Sequence, residues 1–336
     1  MRALRGRPGF DTSHAGNVSR LAGGLSHASW IVDLEGARVD RVVVKAEPAY
    51  GPLQPYDISR EASVQHALHE QSFPVAPVIL VGDESLMGRT CMVMEFVSGD
   101  VPSLSQVTSW SKWQDLDQRL TMGAEMINTL AKLQQIDVSC FPFPEYKVTT
   151  EVVRERISKA FAKIDLELFG RLGAQHPVVT DAARWLIERT PSLSPAEAVW
   201  LHGDFRIGNV IFAENLEISA VLDWERAAIG DPMADLGFLC LPMGNARTPD
   251  LMGAVLQRTQ LFELYEQFAG TRVDESRVDY YTIYALYMEA VAIGCGLSLT
   301  VKDPADMRYV FTAKLFAEVT WLLADRMVAY DQTYGG

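Results

Sequence analysis

The chain has 336 residues, 48% of them hydrophobic, and carries 30 Lys/Arg against 43 Asp/Glu for a formal net charge of −13. That charge excludes nucleic acid as a general partner, because a polyphosphate demands a basic face. The length suits two lobes with a sizeable core, and no uninterrupted apolar run of about 18 residues occurs, so no membrane span is expected.

The N-terminus, MRALRGRPGF, is basic but lacks the apolar middle of a secretion signal. Four cysteines, Cys91, Cys140, Cys240 and Cys295, lie far apart with no metal-ligand spacing. They read as small core residues in a reducing compartment, which points to a cytoplasmic protein. Residues 1–98 hold nine Lys/Arg against eleven Asp/Glu, whereas the remainder holds 21 against 32, so the acidity lies in the later part.

In chain order, residues 1–20 are polar with Gly and Pro and read as a poorly ordered arm. Gly23 and Gly24, with Ser26 beside them, form a turn-rich stretch between strand-like runs. Such a loop can bring backbone N–H groups against phosphate oxygens, although an ordinary hairpin has the same pattern. The run RVVVK at 41–45 is a strand ending in a cation, Lys45. Residues 57–70 have helical spacing, with Asp57 or Ser59 available as a cap. Glu61 lies in the first turns and Glu70 at the far end. His66 and His69 are three apart but have no third ligand, and read as surface residues. Residues 75–81 and 90–97 are two strands joined by a turn, the second running into Ser98-Gly99-Asp100.

After Pro102 the pattern becomes helical. Apolar residues near a 3.6 period predict a helix over 113–136, and 149–169 and 178–190 are further amphipathic helices forming a substrate-facing insertion. The run VWLHGDFRIGNVIFAENLEISAVLDWERAAIGDPMADLGFL at 199–239 contains short apolar strands bounded by turn residues. These place Asp204, Asn209 and Asp223 at strand ends or in a loop. Asn and Asp offer hard oxygen ligands to Mg²⁺, and a further Asp can orient a hydroxyl. Helices are expected over 251–268, 278–299 and 307–330. The stripe Tyr280, Tyr281, Tyr284 and Tyr287 reads as core, and Gly294 and Gly296 as sites of close helix packing.

The run at 199–239 resembles the catalytic segment of the aminoglycoside phosphotransferase and choline kinase group, distant relatives of protein kinases. His202-Gly203-Asp204 stands where protein kinases have His-Arg-Asp, Asn209 follows five residues later, and Asp223-Trp224-Glu225 stands where they have Asp-Phe-Gly. The resemblance implies an α+β, two-lobed protein-kinase-like fold, with a five-stranded antiparallel N-terminal sheet plus one helix in residues 1–98 and a larger helical lobe in 99–336. It implies an ATP-dependent, Mg²⁺-dependent kinase acting on a small-molecule hydroxyl. Asp204 is then the catalytic base, and Asn209 and Asp223 the metal ligands. Lys45 contacts the α- and β-phosphates, held by Glu61. Gly23, Gly24 and Ser26 cover the phosphates. At the hinge the Glu95 carbonyl and Val97 N–H meet the adenine, with Met94 behind it. Asp235 accepts backbone N–H groups of the catalytic loop. Gln134 replaces the family's usual His, a change of local packing.

Two features bear on the acceptor. Arg206, two residues beyond the catalytic Asp, either reaches the γ-phosphate or an anionic acceptor, or pairs with a nearby acid. The insertion at 141–195 is mixed in charge, with Arg154, Arg156, Lys159 and Lys163 among acids, not an acidic wall for a polycation. The loop HGDFRxGN and the 47–61 segment look closer to kinase-like domains fused to some acyl-CoA dehydrogenases, whose acceptors are hydroxyacyl compounds, than to antibiotic resistance enzymes. The expected acceptor is therefore a non-aminoglycoside hydroxyl. The rival is a nucleotide-binding pseudokinase module, whose signature would be loss of Asp204 or Asp223. A hydrolase lacks a Ser or Cys beside His202.

Overall fold

The structure is a computed structural model describing residues 4, 9–10, 14–21, 27–48, 56–102, 107–143, 149–170, 173, 175–194, 197–242, 248, 250–299 and 312–335. Five strands, β1 (His14–Arg20), β2 (Ala28–Glu35), β3 (Arg41–Ala46), β4 (Val78–Gly82) and β5 (Cys91–Glu95), make an antiparallel sheet in the order β1-β2-β3-β5-β4. The expected arm therefore contains the edge strand β1. Its sequence, HAGNVSR, has no apolar alternation and is exposed throughout, so backbone pairing with β2 defines it. Upstream, Leu4 and Phe10 are buried against Leu34, Val42, Leu80 and Val93 on one face of the sheet.

The other face receives α1 (Ile58–Glu70). Ile58, Glu61, Ala62, Gln65 and Leu68 are buried at helical spacing, and Ile58 and Ala62 pack on Met92 and Met94 of β5. Asp57 is the cap, its side chain accepting from the Arg60 N–H at 2.9 Å. Strand alternation sets the rest: Val43 pairs with Met94 and Lys45 with Met92, which puts Lys45 on the same face as α1.

The helical part comprises α2 (Leu116–Gln135), α3 (Thr150–Ile164), α4 (Pro177–Glu188), α5 (Met233–Leu239), α6 (Arg258–Ala269), α7 (Glu275–Leu299) and α8 (Thr312–Tyr334). The single helix expected over 113–136 is broken at Asp115, which is extended and whose carboxylate caps α2 by accepting from the Gln118 N–H at 2.9 Å. The helix expected from 251 starts only at Arg258, because Met252 and Leu256 pair in a tight bridge with Ala254 at φ 65°. A five-residue π-helical segment, Asp165–Phe169, follows α3 directly. Of the α7 tyrosines expected in the core, Tyr280 and Tyr287 are there with satisfied tips: the Tyr280 hydroxyl donates to the Leu186 carbonyl at 3.0 Å and that of Tyr287 to the Ile157 carbonyl at 3.2 Å, whereas Tyr281 and the half-buried Tyr284 line a cavity.

Between α4 and α5 lie four short strands, β6 (Val199–Leu201), β7 (Val210–Phe212), β8 (Ile218–Val221) and β9 (Ala228–Gly230), paired antiparallel as β6 with β9 and β7 with β8. The chain leaving β5 is stitched to this unit by reciprocal backbone bonds between Asp100 and Phe212 of 2.8 and 2.9 Å. Gly99 permits it: at φ +145° a Cβ would stand 2.5 Å from the Phe212 carbonyl oxygen. The Val221 N–H reaches the Pro74 carbonyl at 2.8 Å, a second tie from this unit to the segment following α1. Among the described residues, no helix is long and apolar enough to cross a membrane.

Candidate active site

The strand cation and the helix acid meet. Lys45 Nζ donates to both oxygens of Glu61, at 2.7 and 2.9 Å, and to Asp223 Oδ1 at 2.8 Å. Burial works against the charge on Lys45, but the Glu61 and Asp223 carboxylates more than compensate and raise its pKa. Burial likewise disfavours ionisation of Asp223, yet the Lys45 ammonium and its hydrogen bond hold that carboxyl below the usual range. Asp223 stands just beyond β8 with φ 68° and ψ 64°, a left-handed conformation that Asp tolerates better than most residues. Glu70, the other acid of α1, is exposed, as are His66 and His69.

The loop from His202 to Asn209 is fixed from below. Asp235, fully buried on α5, accepts from the backbone N–H groups of His202 and Gly203, both at 2.8 Å. The His202 ring is 2.8 Å from the Leu222 carbonyl through Nε2, and its Nδ1 accepts from the Asp204 N–H at 3.1 Å. Gly203 sits at φ +78°, where a Cβ would come within 2.7 Å of the Arg226 carbonyl oxygen. Asn209 donates through Nδ2 to the Asp204 carbonyl at 2.9 Å, which leaves its side-chain oxygen as the acceptor end. Burial raises the pKa of Asp204 against the opposing pull of Arg206 and Arg226. Arg206 Nε donates to Asp204 Oδ1 at 3.0 Å, so of the two alternatives for this guanidinium the structure contains the pairing with an acid.

At the hinge, Met94 is buried and Val97 packs with it beside Ala62 and Met92. Glu95 ends β5, its N–H donating to the Pro77 carbonyl at 2.9 Å and its side chain pairing with Arg38 at 2.5 Å. Gly23, Gly24 and Ser26 lie outside the described residues. Gln134 acts in packing: it accepts from the Tyr265 hydroxyl at 2.5 Å and donates to the Pro232 carbonyl at 3.0 Å.

Four further residues belong to the site without having been singled out from sequence. Arg60, beside Glu61, donates to the Glu225 carbonyl at 3.2 Å and also to that of Ala227, clamping α1 to the segment after Asp223. Arg226 pairs with Glu289 of α7 at 2.5 Å. Glu225 is pushed up to about 8 by burial and by the neighbouring Asp223 charge. His27, immediately before β2, has its Nδ1 3.3 Å from Glu225. Only the position of Glu225, two residues past Asp223, offered a sequence signal. Donor atoms of His27, Glu61 and Asp223 lie within 4.8 Å of one another, but the Lys45 ammonium already engages both oxygens of Glu61, which disfavours a cation there.

A cavity of about 640 Å³ opens between α1, α3, α5 and α7; His27, Gly203, Glu225 and Arg226 line it, whereas Lys45, Asp204, Asn209 and Asp223 do not. Phe238, Tyr281, Tyr284 and Met288 form apolar walls, while Arg60, Arg156, Lys159, Lys163 and Arg226 bring five cations against the acids Asp57, Glu225 and Asp235.

Residues 17–271 match the model of the phosphotransferase enzyme family. The chain belongs to that family. Acyl-CoA dehydrogenase family member 11 of Gallus gallus is 30% identical over 240 residues, covering 69% of this chain and 29% of that protein. Acyl-CoA dehydrogenase family member 10 of Mus musculus is 25% identical, covering 71% of this chain and 21% of the relative. The chain thus spans under a third of the length of these relatives. Among solved structures, a provisionally named aminoglycoside phosphotransferase of Ralstonia eutropha superposes with a TM-score of 0.71 at 22% identity, covering 98% of this chain and 95% of that one. A choline/ethanolamine kinase family protein of Mesorhizobium loti gives 0.58 at 17% identity, covering 98% and 96%. These likenesses establish the two-lobed kinase-like fold.

Proposed function

We propose that this phosphotransferase transfers the γ-phosphoryl group of ATP to a hydroxyl of a small molecule. The observation that carries the reading is the convergence of Lys45, Glu61 and Asp223 across 178 residues of sequence, beside an Asp204–Asn209 loop held by Asp235. Nucleotide is assigned to residues 1–98 and catalysis and acceptor to 99–336. Lys45, locked by Glu61, presents a fixed point charge to the α- and β-phosphates. The donor set fits a hard cation: an ionised Asp223 carboxylate and the Asn209 side-chain oxygen, both hard donors. Mg²⁺, when bound there, supplies charge neutralisation of the phosphate oxygens. Asp204 orients the acceptor hydroxyl and takes its proton late in transfer, while Arg206 holds that carboxylate in place. Positioning and preorganised charge supply most of the rate in such chemistry.

The acceptor is assigned to the 640 Å³ cavity, and its lining supports a non-aminoglycoside. Five cations disfavour a polycation, and the aromatic and aliphatic walls suit an apolar body carrying an anionic group. The hydroxyacyl compounds suggested by the dehydrogenase-fused relatives have that character. ATP consumption measured with Mg²⁺ against hydroxyacyl compounds, amino alcohols and aminoglycosides tests this. Turnover with the anionic group is expected, and turnover with kanamycin near a kcat/KM of ~10⁴ M⁻¹s⁻¹ would restore the resistance reading.

A further inference from the structure

His27 is a buried polar side chain that the reaction above does not use. It follows the glycine stretch and leads into β2, where Ser29 pairs with Lys45. Alternation along the strand carries His27 and Ser29 to one side, the side of Lys45 and α1. Its side chain is 4% exposed, and neither ring nitrogen has a hydrogen-bond partner among the described residues. Nδ1 approaches Glu225 at 3.3 Å without hydrogen-bond geometry. The ring is set edge-on against Tyr56, with centroids 5.1 Å apart at 69°.

A histidine packed for structure alone finds a partner for at least one nitrogen, because a buried polar atom left unpaired is costly. A metal role is opposed by the Lys45 ammonium, which occupies the nearby Glu61 carboxylate. An imidazole carries at least one ring N–H in either protonation state, so the ring has a hydrogen-bond donor to offer. A ring nitrogen of His27 lies within 4.8 Å of an Asp223 carboxylate oxygen, the group assigned to the metal. His27 also lines the acceptor cavity together with Glu225 and Arg226. The group that passes between these two places during the reaction is the phosphoryl in transit.

We propose that His27 is a further catalytic residue whose ring N–H donates a hydrogen bond to an oxygen of the phosphoryl group being transferred. This rests on the phosphotransfer reading above. No proton leaves His27: the bond from the β,γ-bridging oxygen to phosphorus breaks, the bond from the acceptor oxygen forms, and the acceptor proton goes to Asp204. His27 thereby distinguishes a nucleotide that carries a γ-phosphate from one that does not.

The test compares Mg²⁺ complexes of ADP and of the β,γ-imido analogue of ATP by calorimetry on wild type, His27→Ala and His27→Asn. His27→Ala is expected to bind ADP within about twofold of wild type, but the imido analogue roughly tenfold more weakly, with turnover reduced ~10²-fold, the lower end for loss of a positioned group. His27→Asn, which keeps an N–H donor, is expected to recover most of the lost analogue affinity. In wild type, the ¹⁵N resonance of the His27 ring is expected to move with the imido analogue and to stay in place with ADP. Equal weakening of both nucleotides in His27→Ala, an unchanged pair of affinities, or the same ring resonance in both complexes would overturn the inference while leaving phosphotransfer intact. If the alanine variant does not fold, the asparagine variant and the wild-type resonance decide. A wild-type protein that binds neither nucleotide overturns both readings.

Discussion

Asp204 and Asp223 are two half-buried carboxylates whose surroundings push them in opposite directions. Burial raises Asp204, with Arg206 and Arg226 opposing, whereas Lys45 overcomes burial at Asp223 and keeps it ionised. Separate environments for two acids suit separate tasks. Replacing Asp204 by Asn should leave MgATP affinity unchanged and lower turnover ~10²–10⁴-fold, the range for a positioned base; steady-state kinetics on the best acceptor would remove Asp204 from that role if turnover stayed near wild type. Asp223→Ala should abolish the gain in ATP affinity that Mg²⁺ confers, since the neutral Asn209 alone is a weak ligand. Calorimetry with and without Mg²⁺ checks this, and a full metal-dependent gain in the variant would move the metal elsewhere. Both acids were legible in the sequence through their spacing from Asn209 and from the apolar runs. His27 was not, because its defining property is the lack of a partner for a buried ring, and no pattern of residue types encodes that.

At the scale of elements, the position of Lys45 followed from strand alternation and that of Glu61 from helical spacing, and their meeting required only that α1 pack on the β3 and β5 face. The residues of β1 read as part of a polar arm because an edge strand held by backbone pairing needs no hydrophobic signature. The break at Asp115 lay within an unbroken apolar period, where a capping carboxylate competes with helix continuation. The catalytic loop shows how such elements hold a site. Asp235 anchors it by two backbone bonds, and Gly203 closes it in a left-handed conformation that favours glycine. Gly203→Ala must accommodate both a positive φ and a Cβ 2.7 Å from the Arg226 carbonyl oxygen. It should destabilise the protein by about 2 kcal/mol or more and reduce turnover beyond what the loss of folded protein explains. Urea unfolding followed by kinetics under folding conditions measures the two effects separately. A variant with wild-type midpoint and rate would show that the loop has slack.

Over the whole molecule, a net charge of −13 coexists with a cavity lined by more cations than acids. Sequence order displayed the insertion as mixed in charge. Helical geometry sorts it: Arg156, Lys159 and Lys163 share the cavity side of α3, while Arg154 turns away and donates to the Ile187 carbonyl at 3.1 Å. Charge reversal at Lys163, as Lys163→Glu, should raise KM for an anionic acceptor by roughly tenfold, the scale of one lost ionic contact, and leave KM for ATP unchanged. An equal rise for both substrates would place Lys163 outside acceptor recognition. The central claim, transfer of a phosphoryl group to a small-molecule hydroxyl by these residues, is tested most directly by ³¹P NMR of the protein with MgATP and a hydroxyacyl acceptor. The account predicts a phosphomonoester resonance growing in step with ADP in wild type and nearly absent in Asp204→Asn. ADP appearing with inorganic phosphate alone, or the phosphomonoester growing equally fast in both proteins, would contradict it.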